Sequence, residues 1–252
     1  MTAAVTLRDL TLGYEGHPAV HHLSGSFAAS SLTAVVGPNG SGKSTLLKGI
    51  VGALRPLGGA IEREDGDIAF LPQSAEIARD FPATVSDLVG LGFWKRRGSF
   101  SGLTAGDRDQ LAASLAAVGL YGFENRPLDT LSGGQVQRAL FARVLVQDAS
   151  LVLLDEPFAA IDERTVADLM QLIERWHDEG RTIIAVLHEL ELVREHFPQT
   201  LLLARNPIAW GETSSVLTED NLRRARSMPE AWDEHAPWHD EHAAQAAAEH
   251  VH

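Results

Sequence analysis

Nine consecutive residues, Gly37-Pro38-Asn39-Gly40-Ser41-Gly42-Lys43-Ser44-Thr45, have the types and spacing for phosphate chemistry. They fit G-x-x-x-x-G-K-[ST], a loop whose glycines let successive backbone N–H groups turn inward onto phosphate oxygens. Where such a loop opens a helix, the partial positive charge of the helix start adds to the attraction. Lys43 would then reach the β and γ phosphates of a nucleoside triphosphate. The Ser44 hydroxyl would be offered to Mg²⁺, a small hard ion that keeps waters and takes few protein oxygens. A glycine-rich turn bearing a surface lysine is the bland alternative, and the flanking elements decide against it.

A second group supplies carboxylates. Leu151-Val152-Leu153-Leu154 predicts a buried strand that delivers Asp155 and Glu156 to its carboxyl end, where open α/β sheets place their ligands. Asp155 suits the Mg²⁺ ion, directly or through water, and Glu156 suits orienting and deprotonating a water that attacks the γ-phosphorus. Acidic caps at a helix start would need the same residue types. A third group is Leu131-Ser132-Gly133-Gly134-Gln135, in which Ser132 and Gln135 have capping-box spacing. A capped, glycine-opened helix start is also an anion site.

The elements that must hold these groups are legible as periodicities. Leu32 to Val36 has the β-branched density of a buried strand and runs straight into the phosphate loop; Leu46, Leu47, Ile50, Val51 and Leu54 then predict a helix over 44–54. Val5, Leu7, Leu10 and Leu12 predict a first strand region ending at Gly13-Tyr14-Glu15-Gly16, which places Tyr14 in a loop. Val166, Leu169, Met170 and Ile173 share a face of a helix over 163–179 stopped by Gly180, and Thr182 to Leu187 is another buried strand. This alternation predicts a mostly parallel sheet with helices on both faces. Residues 81–147 read as a helical insertion, with Leu111, Leu115 and Val118 on one stripe and Val136, Leu140 and Val144 on another.

Composition excludes other classes. The 252 residues, 44% hydrophobic and 22% charged, are those of a folded globular chain. The net charge of −13 repels nucleic acid and anionic headgroups over most of the surface. The absence of cysteine removes disulfides and thiolate metal sites. The start, MTAAVTLRDL, lacks a signal-peptide pattern, and no apolar run approaches the roughly 20 residues of a membrane span, so a cytosolic or peripheral chain is expected.

Through the Leu131–Gln135 motif the chain resembles the ATP-binding cassette (ABC) family, and other residues fall in that family's order. Tyr14 matches the aromatic residue that stacks on adenine, Gln73 in Phe70-Leu71-Pro72-Gln73 the glutamine loop, Asp162 the loop at the dimer contact, and His188 the switch histidine. The resemblance implies an α/β fold: a P-loop NTPase core with a mostly parallel sheet, an antiparallel β subdomain and the helical insertion. It implies a homodimer in which each ATP lies between the phosphate loop of one copy and Ser132, Gly133, Gly134 and Gln135 of the other. Glu156 would be the base, and His188 and Gln73 would sense γ-phosphate and Mg²⁺. Residues 1–226 would form the ATPase domain and 227–252 a tail.

Transport then requires a separate membrane permease, and indirectly a periplasmic or extracellular solute-binding protein, with this chain on the cytoplasmic face of the inner membrane. Asp155-Glu156-Pro157-Phe158 with Val186-Leu187-His188-Glu189 is similar to zinc/manganese importers; heme or iron-chelate import is the alternative. Soluble cassettes of DNA repair or translation fit less well, because the motifs occur once, the charge is negative and no coiled coil is present. Trp94-Lys95-Arg96-Arg97 reads as a solvated basic face or as a docking contact. The tail carries His235, His239, His242, His250 and His252 among six carboxylates and no Lys or Arg after Ser227. Imidazole and carboxylate are zinc ligands, so the tail is either a weak Zn²⁺ site, through His235, His239 and His242, or an acidic extension in which histidine is incidental.

Overall fold

The computed structural model describes residues 2–73, 82–97, 102–159 and 161–227. The chain begins with two long antiparallel strands, β1 (Ala3–Tyr14) and β2 (His17–Ala28). Glu15 and Gly16 turn between them with φ of 50° and 81°, as a two-residue hairpin of type I′ requires. Tyr14 is therefore the last residue of β1, paired with His17, and not a loop residue: the turn is two residues long and the ladder runs up to it. Val5, Leu7, Leu10 and Leu12 are all buried although their spacing breaks phase. Asp9, at φ 47°, sits where the register shifts between Leu7 and Leu10, and this irregularity returns the apolar positions to one face. A further strand, β4 (Gly58–Arg63), pairs with the other edge of β1.

The second sheet positions the chemistry. It comprises β3 (Leu32–Val36), β5 (Ile68–Leu71), β6 (Leu151–Asp155), β7 (Thr182–Val186), β8 (Gln199–Ala204) and β9 (Asn206–Glu212), in the order β5-β6-β7-β3-β8-β9. Every pairing is parallel except β8 with β9. All residues of β3, β6 and β7 are buried, which explains their continuous apolar sequences. Alternate residues serve two cores. Val35, Leu153, Ile184 and Leu201 face the three-stranded sheet and α1 (Lys43–Val51), whereas Ala34, Val152, Leu154 and Ile183 face the remaining helices. The α1 helix stops at Val51, short of the expected Leu54, because Gly52 adopts a left-handed conformation with φ 85° and caps it.

The insertion folds as helices: α2 (Val85–Gly90), a 3₁₀ turn Leu91–Phe93, α3 (Trp94–Arg97), α4 (Ala105–Ala117) and α5 (Gly133–Gln147). Both expected stripes are buried, and they join the same apolar cluster as one face of the main sheet, so the insertion has no separate core. Three of its helix starts carry reciprocal capping boxes, Thr84 with Asp87, Thr104 with Asp107 and Ser132 with Gln135. The cations of Trp94–Arg97 are engaged rather than merely solvated: Lys95 bonds Asp67, and Arg96 and Arg97 reach Asp107 at 3.2 and 2.8 Å. The remaining helices of the described residues are α6 (Glu163–Asp178), α7 (Leu190–His196), α8 (Thr213–Val216) and α9 (Glu219–Ser227). Among the described residues no helix is long and apolar enough to cross a membrane.

Candidate functional site

The phosphate loop leaves β3 and opens α1, as its sequence demands. Two glycines are fixed by space. A Cβ on Gly37 would lie 1.9 Å from the Leu203 carbonyl oxygen, and one on Gly42, at φ 91°, would lie 2.5 Å from that of Ala19. Gly40, at φ 73°, instead faces open space. No side chain caps the α1 start, which leaves its first N–H groups for an anion. Pro38 and the exposed Asn39 form the loop's crest. Ser41, Lys43 and Thr45 are buried along its floor.

Lys43 Nζ donates to the Gly37 and Pro38 carbonyls at 3.0 and 2.9 Å. Burial pushes its pKa below the usual lysine value, while the Glu156 and Asp155 carboxylates oppose that shift. Ser44 Oγ donates to Asp155 Oδ1 at 2.9 Å, joining the phosphate loop to the end of β6.

Glu156 follows at φ 49°, held by its N–H on the Val186 carbonyl at 3.2 Å. Its two oxygens are both engaged: Gln73 Nε2 donates to Oε2 at 2.8 Å, and His188 Nε2 lies 2.8 Å from Oε1. The three side chains come from the carboxyl ends of β5, β6 and β7, three adjacent strands. They line one cavity of about 950 Å³ together with the phosphate loop. Tyr14, 45% exposed, stands at its mouth.

Ser132, Gly133, Gly134 and Gln135 do not line that cavity. They cap α5: Ser132 Oγ accepts from the Gln135 N–H at 3.3 Å, and Gln135 Oε1 from the Ser132 N–H at 3.0 Å. Asp162, also outside the cavity, caps α6 by accepting from the N–H and hydroxyl of Thr165, and these bonds hold its carboxyl below the usual range. A Cβ on Gly134 would sit 3.9 Å from Asp162 Oδ2, so the two loops adjoin. The expected site is thus two surfaces on one chain. His235, His239 and His242 lie outside the described residues, and among the described residues no group of three or more His, Cys, Asp or Glu is placed to hold a metal ion.

Four lining residues escaped the sequence reading, Ala19, Ala204, Arg205 and Arg226, of which the two arginines carry charge. Arg205 had a usable signal, since Leu201 to Ala204 is an apolar run whose carboxyl end lies beside the other ligand-bearing strand ends. Arg226 in α9 had none.

Comparison with known proteins identifies the family and the fold. The ABC transporter family pattern matches residues 20–159. A zinc transport system ATP-binding protein of Treponema pallidum is 38% identical over 231 residues, covering 88% of this chain and 86% of that protein. A manganese transport system ATP-binding protein of Listeria monocytogenes is 35% identical, covering 87% and 94%. Among solved structures, an inward-facing metal-chelate type ABC transporter superposes with a TM-score of 0.81 at 30% identity, covering 91% of this chain and 90% of that one. With the phosphate loop, the carboxylates and the Leu131–Gln135 motif in these positions, the chain belongs to the ABC transporter family as an ATP-hydrolysing, nucleotide-binding subunit.

Proposed function

We propose that the chain powers import of a metal ion, with zinc as the cargo, by binding ATP between two copies of itself beneath a membrane permease. The observation that carries the hydrolytic part is Glu156, held between Gln73 and His188 on the cavity wall that faces the phosphate loop. Tyr14 stacks on the adenine, Gly37 to Thr45 take the phosphates, and Glu156 accepts the proton of the attacking water. Ser132, Gly133, Gly134 and Gln135 of a second copy close the site, with Asp162 at the contact between copies.

Ser44 Oγ and Asp155 Oδ1, 2.9 Å apart beside the loop, are hard oxygens suited to Mg²⁺, with the Gln73 amide oxygen as a third donor. When bound, Mg²⁺ neutralises charge on the β and γ phosphates.

Residues 1–226 act as the ATPase domain and residues 81–147 as its helical subdomain, whose exposed Leu91 and Trp94 offer the permease an apolar contact. On this reading the chain lies peripherally on the cytoplasmic face of the inner membrane. The permease receives its cargo from a solute-binding protein, and the −13 charge disfavours nucleic acid as a partner. Support for the cargo comes from relatives named for zinc and manganese transport. The metal-chelate type transporter supports chelate import as a second reading. Reconstituting the chain with its permease and solute-binding protein tests both: ATP-dependent uptake of Zn²⁺ is expected, and uptake of heme or an iron chelate instead would replace the first reading with the second.

A further inference from the structure

Arg205 and Arg226 both line the nucleotide cavity, and among the described residues neither guanidinium meets a carboxylate or donates a hydrogen bond to another side chain. Four other arginines of this acidic protein pair with carboxylates: Arg8 with Glu62, Arg97 with Asp107, Arg138 with Asp168 and Arg181 with Asp148. Arg205 is held firmly by its backbone. At φ 61° it turns the chain at the carboxyl end of β8, its N–H donates to the Ser41 carbonyl at 3.1 Å, and its own carbonyl accepts from the His21 N–H at 2.9 Å. It therefore ties the phosphate loop to β2. The neighbouring His21 is pushed below the usual histidine pKa, first by burial and then by the Arg205 charge, so it adds no second cation there at neutral pH.

Sheet order fixes which end of a nucleotide these arginines meet. The phosphate loop follows β3, whose neighbours are β7 on one side and β8 on the other. Gln73, Glu156 and His188 all follow strands on the β7 side. Arg205 follows β8, on the opposite flank, next to the hairpin that carries Tyr14 and Ala19. Arg226 reaches the same cavity from α9, the last described helix.

We propose that Arg205 and Arg226 form a guanidinium pair that holds the nucleoside end of the bound nucleotide, at its ribose and α-phosphate. The pair adds side-chain positive charge at the end of the nucleotide away from Lys43, which reaches the β and γ phosphates, and it is indifferent to the γ-phosphate. This inference rests on the nucleotide reading of the cavity. Because a guanidinium retains its charge throughout the working pH range, the contact is a fixed one and its strength is set by salt.

The test measures ATP and ADP affinity by titration for the full chain, for Arg205→Ala with Arg226→Ala, for the corresponding double Lys variant, and for Lys43→Ala as a control. The double Ala variant should weaken ATP and ADP alike by about tenfold, a loss suited to charge-assisted hydrogen bonds at a partly exposed site. The double Lys variant should recover part of that loss, and the difference should narrow at high salt. Loss for ATP alone would move the pair to the γ-phosphate and overturn the assignment. Unchanged affinity for both nucleotides, with Lys43→Ala clearly weakened, would remove the pair from the site. If Lys43→Ala also binds normally, the nucleotide reading of the cavity fails and the pair fails with it.

Discussion

Glu156 and His188 meet at 2.8 Å, and the remaining Glu156 oxygen accepts a hydrogen bond from Gln73 at the same distance. The carboxylate is thus oriented by two neutral-capable partners drawn from adjacent strands, with its side chain only 19% exposed. An attacking water would have to replace or share one of these bonds, which makes the two partners sensitive to what occupies the cavity.

The first prediction follows from that arrangement. Glu156→Gln keeps the shape and removes the base, so hydrolysis should fall by about 10² to 10⁴-fold while ATP affinity is retained. The variant should accumulate as an ATP-bound dimer in size-exclusion chromatography. Turnover within a few-fold of the parent chain would exclude Glu156 as the base.

Much of this site was legible because its chemistry is local in sequence. Gly37 to Thr45, Asp155 with Glu156, and Ser132 with Gln135 each form within a few residues, and the structure adds only their distances. Tyr14 was misplaced because Gly13 and Gly16 both suggested a turn, whereas Gly13 stays paired in β1 and the chain reverses over Glu15 and Gly16 alone. The boundary of α1 was overrun at Gly52, where an apolar spacing continued past a left-handed stop. β2 went unnoticed since its buried residues, Val20, Leu23 and Phe27, do not alternate strictly. Arg226 was invisible for a different reason: it reaches the cavity from α9 through tertiary packing and belongs to no motif, whereas Arg205 follows an apolar strand whose carboxyl end went unread.

A second prediction concerns the acid stability of the helical insertion. Asp107 is 2% exposed, accepts from the N–H and hydroxyl of Thr104, and pairs with Arg96 and Arg97. The Thr104 hydroxyl bond leads the groups that hold its carboxyl far below the usual range, against the opposing effect of burial. A depressed carboxylate contributes stability that is present above its unfolded value of about 3.9 and is lost as pH falls toward the folded value. Asp107→Asn should therefore lower the unfolding midpoint at pH 7 and flatten its decline below about pH 4. Parallel curves for the two chains across that range would show that Asp107 does not carry the effect.

The third prediction addresses the tail, read from sequence alone. Five histidines and their carboxylate neighbours after Ser227 should bind Zn²⁺ weakly, since they are dispersed in sequence and no cysteine assists. Neutral imidazole is the ligand, so binding should fade as pH drops through about 6.5. Calorimetric titration at pH 7.5 and 5.5 compares the full chain with one ending at Arg226. Equal binding by the two chains would assign the metal elsewhere, and ATP hydrolysis should be the same in both.

The last prediction tests the shared site. Ser132 and Gln135 cap α5 outside the cavity that Lys43 and Glu156 line, so the two motifs occupy separate surfaces of one chain. Ser132→Arg should abolish hydrolysis by crowding the nucleotide of the facing copy, yet leave monomer folding and ATP titration unchanged, because its own phosphate loop is untouched. Lys43→Ala should do the reverse, removing the charge on the β and γ phosphates and with it the ATP-dependent rise in unfolding midpoint. Mixing the two variants then creates heterodimers. One composite site contains both lesions, and the other combines an intact phosphate loop with an intact Ser132. If the site is composite and one active site suffices, the mixture regains up to about a quarter of parent turnover, since half the dimers are mixed and each has one site of two. If each chain were catalytic by itself, mixing could restore nothing, and Ser132→Arg alone would already have retained activity.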